Sequence, residues 1–227
     1  MGKGIFVTGT GTEIGKTFVT KYLTKALKEQ GFHVAPYKPI QTGCIEKNGE
    51  LIAEDVEQYI ETAKLSFTQK DLCTYFFKKP ASPHLAASIE NVQIDLHRIK
   101  NHYEQLLKEH DIVLVEGAGG LAVPLVESDH LLMTKDLIQL LNIPLILVVP
   151  PHLGSINHTL VTIEYAKAHH LTVLGIVFNQ VSNEPDLIEK DNMRMIEKLT
   201  KLPILGRVPF TEEDEGNISE WFSVQNI

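Results

Sequence analysis

The stretch Gly9-Thr10-Gly11-Thr12-Glu13-Ile14-Gly15-Lys16-Thr17 lies between a short apolar run and an amphipathic stretch near the start of the chain. Glycines let backbone N–H groups converge on phosphate oxygens, and a following helix directs its positive dipole end at the same point. The lysine reaches the β- and γ-phosphates, and the hydroxyl after it binds Mg²⁺. The stretch predicts a phosphate-binding loop one residue longer than the usual G-x-x-x-x-G-K-[ST] spacing, because the first glycine stands at position 9 rather than 10.

On either side of this loop, short apolar runs alternate with longer amphipathic stretches, as they do in βαβ units. The predicted strands are Ile5–Thr8, Val34–Tyr37, Ile112–Glu116, Leu145–Val149, Val173–Asn179 and Ile204–Val208. Most are dense in Val, Ile and Leu without polar alternation, which is typical of parallel strands buried on both faces. We therefore predict an α/β fold of the P-loop NTPase type, a doubly wound and mostly parallel sheet with helices on both faces. We expect residues 1–227 to form a single domain.

Local signals also predict helices and loops. Apolar residues recur at helical spacing from Val19 to Leu27, and Gly31 is the predicted stop. Ser82-Pro83 is typical of an N-cap with proline in the first turn, and a further helix is predicted from about Ile156 to His169. The polar, glycine-containing stretch Gln41–Asn48 is predicted to be a loop.

Composition limits the classes of partner. The net charge of -8 argues against broad binding to a nucleic-acid backbone, which needs a basic surface. Cys44 and Cys73 are the two cysteines, and their spacing fits no metal site, so we expect a reducing, cytoplasmic setting. No apolar run approaches the ~18 residues of a membrane span, and we expect a soluble protein without membrane contacts. The acidic stretch 211–216 is predicted to lie on the surface, beside an anchor at Trp221-Phe222.

The predicted strand Ile112–Glu116 ends in a carboxylate and is followed by Gly117, Ala118, Gly119 and Gly120. A P-loop enzyme needs a carboxylate at the tip of a neighbouring strand, because Mg²⁺ prefers hard oxygen ligands. The glycines would let a substrate approach the backbone closely. The alternative is a strand-ending acid before a flexible turn.

Two further charged residues are ambiguous on local sequence alone. Lys38 follows the second predicted strand, where it either points into the ligand crevice of a parallel sheet or lies along the surface with its ammonium in water. Asp55 stands in the acidic helix start Glu54-Asp55-Val56-Glu57, where carboxylates often serve only the helix dipole.

Taken together, five motifs resemble those of the dethiobiotin synthase family. The family's G-T-D-T-x-V-G-K-T matches residues 9–17, including the longer spacing, with Gly11 in place of the family's aspartate and Ile14 as a conservative change. The other matches are Y-K-P-[IV]-x-[ST]-G at 37–43, P-x-S-P-H at 80–84, V-E-G-A-G-G at 115–120 and L-G-x-I-N-H at 153–158. The motifs occur in the family's order and span about residues 4 to 210 of the chain.

The resemblance implies a reaction and an assembly. The reaction joins 7,8-diaminononanoate, CO₂ and ATP into dethiobiotin, ADP and phosphate, through a carbamate and a carbamic–phosphoric anhydride, with Mg²⁺ as cofactor. The assembly is a homodimer in which the site for the substrate carboxylate is shared across the interface. The apolar chain of the substrate ends in that carboxylate, and a helix N-terminus is a ready anion site.

The resemblance also implies roles for individual residues. The implied catalytic residues are Lys16 and Lys38, and the implied metal ligands are Thr17, Asp55 and Glu116. The implied nucleotide-binding residues are Glu13, Ile14, Gly15, Lys16, Thr17, Phe18, Asp55, Glu116, Gly117, Ala118, Gly119, Asn179, Gln180 and Pro209. The implied substrate-binding residues are Thr12, Lys38, Thr42, Gly154, Ser155, Ile156 and Asn157.

Some of these residues have a second possible role. Residues 154–157 either bind the substrate carboxylate or only cap a helix, and His84 either lines the substrate pocket or is structural. The chain is short and acidic beyond residues 206–210, which match a segment on the base side of the nucleotide, so the strictness of the preference for ATP stays open.

Two other classes of protein compete with this interpretation. A nucleotide-driven switch of the partitioning-ATPase type shares the predicted fold, but such proteins carry an extra signature lysine at the start of the loop, and residues 9–15 contain none. An amide-forming synthetase with an attached glutaminase would need a second domain and a catalytic Cys/His pair. We expect no room for that second domain in 227 residues, and the sequence offers no candidate catalytic Cys/His arrangement.

Overall fold

The computed structural model describes residues 2–128, 130–211, 218–223 and 225. Its strands are β1 (Lys3–Gly9), β2 (Val34–Thr42), β3 (Ile45–Lys47), β4 (Glu50–Ile52), β5 (Cys73–Phe77), β6 (Ile112–Glu116), β7 (Pro124–Glu127), β8 (Leu131–Met133), β9 (Leu145–Val149), β10 (Val173–Val181) and β11 (Ile204–Pro209). Its α-helices are α1 (Lys16–Glu29), α2 (Glu54–Ala63), α3 (Gln69–Leu72), α4 (Pro83–Ile89), α5 (Leu96–Glu109), α6 (Thr134–Leu141), α7 (Ser155–Ala168) and α8 (Leu187–Thr200). A short 3-10 helix covers Ile218–Glu220.

Within the described residues, seven strands form one sheet in the order β11-β10-β9-β1-β6-β2-β5, and the pairs in this sheet are parallel. β3 pairs with β4, and β7 with β8, as antiparallel hairpins outside this sheet. β1 lies at the centre between β6 and β9, so the loop that follows β1 opens at the middle of one sheet edge. The carboxyl ends of β2 and β6 meet at the same edge, because parallel strands end on the same side.

Two apolar layers cover the sheet. On β1, Ile5 and Val7 join the layer that contains α1, whereas Phe6 joins the opposite layer, as the alternation of side chains along a strand requires. The second layer also receives buried residues of α5, α6, α7 and α8. The predicted α/β sheet with helices on both faces is therefore confirmed.

The six predicted strands are confirmed, most of them with longer bounds. α1 ends just before Gly31, whose φ of +92° is the left-handed conformation expected after a helix. Ser82 does stand at the N-cap of α4 with proline in the first turn, although its side chain makes no capping hydrogen bond. The helix predicted from about Ile156 begins one residue earlier, at Ser155.

Two predictions need correction or fall outside the described residues. The loop predicted over Gln41–Asn48 is wrong in part, because β2 continues to Thr42 and residues 45–47 form β3, whose backbone is paired in a hairpin. The acidic stretch predicted to lie on the surface is outside the described residues from 212 to 217. The anchor is confirmed, since Phe222 is buried and forms a bridge with Gly206 of β11.

In the part of the chain that the structure describes, we find no helix with both the length and the apolar character needed to cross a membrane.

Candidate active site

A cleft of about 660 Å³ opens at the carboxyl ends of β1, β2 and β6. The predicted site residues that line it are Thr12, Glu13, Gly15, Lys16, Thr17, Lys38, Thr42, Asp55, Glu116, Gly117, Ala118 and Gly119. They come from separate parts of the chain, and the parallel sheet brings them together. The implied phosphate, metal and catalytic residues therefore share one cleft.

The phosphate loop is held from outside by β10. The side-chain amide of Asn179 donates to the Ile14 carbonyl oxygen at 2.8 Å, and that of Gln180 faces the Glu13 carbonyl oxygen at 3.5 Å. Gly15 has a φ of +78° at the N-cap of α1, and a Cβ there would lie 2.1 Å from the Asn179 side-chain nitrogen. Glycine is thus required at position 15 by both backbone conformation and space, and Asn179 supports the loop directly.

Lys16 lies against this loop. Its Nζ donates to the Gly11 carbonyl oxygen at 3.1 Å, and the residue is buried. Burial lowers the pKa of Lys16 because it removes water from the ammonium, and the nearby Glu116 carboxylate opposes this effect. Lys16 thus brings an ammonium to the loop that a phosphate would occupy.

Three side chains converge on the Glu116 carboxylate at the end of β6. Its Oε1 accepts from Lys38 Nζ at 2.5 Å and from Thr17 Oγ1 at 3.0 Å, and its Oε2 accepts from the Tyr59 hydroxyl at 2.5 Å. Lys38 Nζ also pairs with Asp55 Oδ2 at 2.6 Å. The Lys38 ammonium therefore lies between two carboxylates, and with only 5% of the residue exposed it is a cleft residue, not a surface lysine.

The charges of this cluster support one another. Burial acts to lower the pKa of Lys38, but Glu116 and Asp55 outweigh it and raise that pKa above its ordinary value. Burial likewise acts to raise the pKa of Asp55, but the Lys38 ammonium and hydrogen bonds from Thr17 and Gln41 hold it below its ordinary value. At neutral pH the lysine and the aspartate are both charged.

The donor set fits a magnesium ion that arrives with a nucleotide. Mg²⁺ is usually bound by one or two carboxylates together with substrate phosphates, rather than by a cage made only of protein ligands. Thr17, Asp55 and Glu116 supply a hydroxyl and two carboxylates beside the phosphate loop. Within the described residues, no group of three or more His, Cys, Asp or Glu side chains is placed to hold a metal ion.

Sequence reasoning missed two side chains that belong to this cluster. The Tyr59 hydroxyl donates a hydrogen bond to Glu116, and the Gln41 side chain donates one to Asp55. Neither residue stands out in a motif, although Tyr59 follows Asp55 by four residues, a spacing that places both on one face of α2. This four-residue spacing is the sequence signal that could have placed Tyr59 beside the cluster.

His84 does not line the cleft, although residues 80–83 just before it do. It lines a separate groove of about 600 Å³ with Leu125, Glu127 and other residues around β7. Its Nδ1 is buried and has no hydrogen-bond partner among the described residues. The geometry gives His84 no contact with the cleft in this chain.

The remaining predicted residues lie in three other places, and the first of them is Ile14, which belongs to the phosphate loop but does not line the cleft. Phe18, Asn179, Gln180 and Pro209 lie on the first turn of α1 and at the carboxyl ends of β10 and β11, outside the cleft lining. Residues 154–157 are likewise not among the lining residues and form the start of α7, where Gly154 has a φ of +93°. There the Ser155 hydroxyl is buried without a hydrogen-bond partner among the described residues.

Solved structures of similar shape share the fold. A ParA-family ATPase from Chlorobium tepidum TLS has a TM-score of 0.56 at 16% identity, covering 93% of this chain and 86% of its own. A cobyrinic acid a,c-diamide synthase from Mycobacterium smegmatis, with bound ADP and magnesium, has a TM-score of 0.55 at 16% identity, covering 94% and 89%. At these identities the likeness shows the P-loop ATPase fold alone.

Sequence comparison identifies the family. A family model described as an AAA domain matches residues 3–216. The ATP-dependent dethiobiotin synthetase BioD of Anoxybacillus flavithermus is 45% identical over 207 residues, covering 91% of this chain and 91% of its own length. That of Halalkalibacterium halodurans is 42% identical, covering 93% and 86%. The chain therefore belongs to the family of ATP-dependent dethiobiotin synthetases.

Proposed function

We propose that this protein carboxylates 7,8-diaminononanoate with CO₂ and closes the ureido ring at the expense of ATP, giving dethiobiotin, ADP and phosphate. One substrate amine captures CO₂ as a carbamate and loses a proton. A carbamate oxygen attacks the γ-phosphorus, and the bond to the departing ADP breaks. The second amine then attacks the carbamic carbon and loses a proton, and phosphate leaves as the ring closes.

The observation that carries this proposal is the buried Lys38 in the same cleft as the phosphate loop. A carbamate and a γ-phosphate are both anionic, and fixed cations lower the cost of bringing them together. A simple nucleotide switch needs the phosphate loop and its metal ligands. It has no need of a second buried lysine, such as Lys38 within β2.

The side chains of the cleft would act by binding and orientation. Lys16 and Lys38 would hold the phosphate and carbamate oxygens, and the hydroxyls of Thr12 and Thr42 would orient the substrate's nitrogen atoms. Both threonines line the cleft. No protein nucleophile is required, since the substrate's own amines attack, and holding both amines near one carbon is mainly a proximity effect.

Thr17, Asp55 and Glu116 would hold Mg²⁺, which would neutralise negative charge on the phosphates when it is bound. Residues 13–18 and 117–119 would surround the nucleotide phosphates, and Asn179, Gln180 and Pro209 would lie towards the base. Asn179 also supports the phosphate loop through Ile14, so its substitution would weaken nucleotide binding whatever the base.

The assembly is proposed as a homodimer in the cytoplasm, each subunit folded as one domain. Residues 154–157 begin a 14-residue helix, yet they do not line the cleft of their own chain. The buried Ser155 hydroxyl, which has no partner among the described residues, suits a carboxylate acceptor. We propose that these residues bind the substrate carboxylate in the cleft of the partner subunit.

The reaction is tested by measuring ADP release with ATP, Mg²⁺ and bicarbonate, with and without 7,8-diaminononanoate, and by detecting dethiobiotin by mass spectrometry. We expect turnover only with the diamine. Turnover that ignores the diamine would support a partitioning-type switch instead. Repeating the assay with GTP and CTP measures the strictness for ATP.

The shared site is tested by subunit mixing. Lys38→Ala and Asn157→Ala chains should each be inactive or weak alone. In a mixed dimer one of the two sites has both residues intact, so random pairing should restore activity to roughly a quarter of the wild-type sites. Failure of the mixture to regain activity would contradict the shared site.

A further inference from the structure

The two oxygens of the Glu116 carboxylate have different partners. Oε1 accepts from Lys38 and Thr17, on the side of the cleft, whereas Oε2 accepts from the hydroxyl of Tyr59 alone among the hydrogen bonds of the described residues. Tyr59 is completely buried and its ring belongs to the apolar core. Oε1 therefore faces the ionic cluster, whereas Oε2 is bound by Tyr59 on the side of the apolar core.

The spacing of residues on α2 produces this arrangement. Asp55 and Tyr59 are four residues apart and share a face of the helix. Asp55 meets Lys38 at 2.6 Å, and Tyr59 meets Glu116 at 2.5 Å. A single helix thus brings a carboxylate and a hydroxyl donor to the same ionic cluster.

We propose that Tyr59 is a positioning residue that fixes the orientation of Glu116, so that Oε1 is the oxygen presented to the metal–nucleotide complex. The terminal torsion of a glutamate has a broad, roughly two-fold distribution, so a carboxylate without a second partner rotates easily. A hydrogen bond from a buried hydroxyl to an ionised oxygen is among the stronger ones and restricts that rotation. This inference rests on the proposed role of Glu116 as a metal ligand.

Outer partners of metal ligands have effects that can be measured on binding itself. Loss of such a partner typically lowers metal affinity by about 10- to 100-fold. A purely structural tyrosine would behave differently, since losing its hydroxyl would change the stability of the fold without any preference for the metal-bound state. The difference between nucleotide binding with and without Mg²⁺ separates the two roles.

The test is Tyr59→Phe, which keeps the ring and removes only the hydroxyl. Calorimetric titration of the full-length protein would measure ADP affinity with Mg²⁺ and with EDTA in its place. We expect the affinity for ADP to fall about 10-fold in Mg²⁺ and to be unchanged in EDTA. The matched control is Tyr75→Phe, because Tyr75 is also buried but its hydroxyl accepts from the Asp95 backbone, outside the cleft lining. It should alter neither affinity.

A double variant protects the test against a general loss of stability. If Tyr59 acts through Glu116, Tyr59→Phe should lose its Mg²⁺-specific effect in a Glu116→Gln background. Equal weakening with and without Mg²⁺, no change in either, or a full effect in the Glu116→Gln background would each overturn the proposal. These readouts use neither the diamine nor bicarbonate, so failure of ring closure in the wild type would reject the proposed function independently.

Discussion

A depression larger than the cleft lies at the opposite edge of the sheet from the candidate active site. It has a volume of about 850 Å³, against about 660 Å³ for the cleft, and lies at the amino ends of β1, β6 and β9. It is lined by Gly4, Lys100, Tyr103, Asp111 and others. Volume alone would therefore select the edge opposite the candidate active site.

The two edges differ in the burial of their charges. Among the described residues, the buried charged side chains are Lys16, Lys38 and Glu116, and all three line the cleft. The charged side chains that line the larger depression, such as Lys3 and Asp111, are more exposed. Burying charge is costly unless partners are supplied, so a group of paired, buried charges marks the edge that handles charged ligands.

The largest expected effect comes from removing the central charge of the cleft. Lys38→Ala should lower the rate of dethiobiotin formation by about 10²- to 10³-fold, because a fixed cation is lost and two carboxylates are left facing each other. Nucleotide binding should stay measurable by titration. The control is Lys100→Ala in the larger depression, where Lys100 Nζ is 3.7 Å from a Glu104 carboxylate oxygen and the lysine is partly exposed. The rate of this variant should match that of the wild type. Equal losses in both variants would break the contrast between the edges.

Glycines at the two edges allow a second comparison. A Cβ at Gly4 would lie 2.0 Å from the Tyr103 hydroxyl, so Gly4→Ala should cost about 1–3 kcal/mol of unfolding free energy and leave nucleotide affinity unchanged. Gly15→Ala meets Asn179 and a left-handed backbone, and about 1–3 kcal/mol of strain should lower nucleotide affinity about ten-fold or more. Urea unfolding and ADP titration measure the two effects. A loss of nucleotide affinity in Gly4→Ala would contradict this division.

The ionic cluster should also make the stability of the protein depend on pH. The pKa of Asp55 is lower in the folded protein than its ordinary value of 3.8, so its contribution to stability is present above 3.8 and is lost as the pH falls through the folded value. Asp55→Asn should cost about 1.5 kcal/mol at neutral pH, and this difference from the wild type should shrink below pH 3.8. Unfolding curves across this range measure it. Asp191→Asn, in an exposed pair with Arg194, should differ little from the wild type throughout, and a constant gap for Asp55→Asn would refute the assignment.

The smallest effect is expected at the residue where the chain departs from its family's motif. A Cβ at Gly11 would meet only the Ile14 side chain, at an ordinary 3.9 Å, so the structure gives no steric reason for glycine there. Gly11→Asp should change the unfolding free energy by no more than about 0.5 kcal/mol. A large destabilisation, measured by urea unfolding, would show that the loop conformation depends on glycine at both positions 11 and 15.

The apolar runs predicted the centre of the sheet because β1, β6 and β9 are buried on both faces. β5 was not predicted, since it is an edge strand in which buried and half-buried residues alternate over only five positions. Local sequence left Lys38 undecided between crevice and surface. The pairing of Tyr37 with Val115 decides the matter, because it sets the next residues, Lys38 and Glu116, beside each other. The contact of Tyr59 depends on how α2 packs, which no local pattern specifies.

Lys38 has one more consequence for how the cleft takes up its ligands. Its ammonium acts as an internal counter-ion, which already offsets one of the two carboxylate charges that a divalent ion would need. A free metal ion would compete with a covalently attached cation and gain little. A metal ion that carries a nucleotide brings phosphate charge with which the displaced ammonium can pair. We therefore expect metal and nucleotide to enter as one complex, each raising the affinity for the other by the same factor.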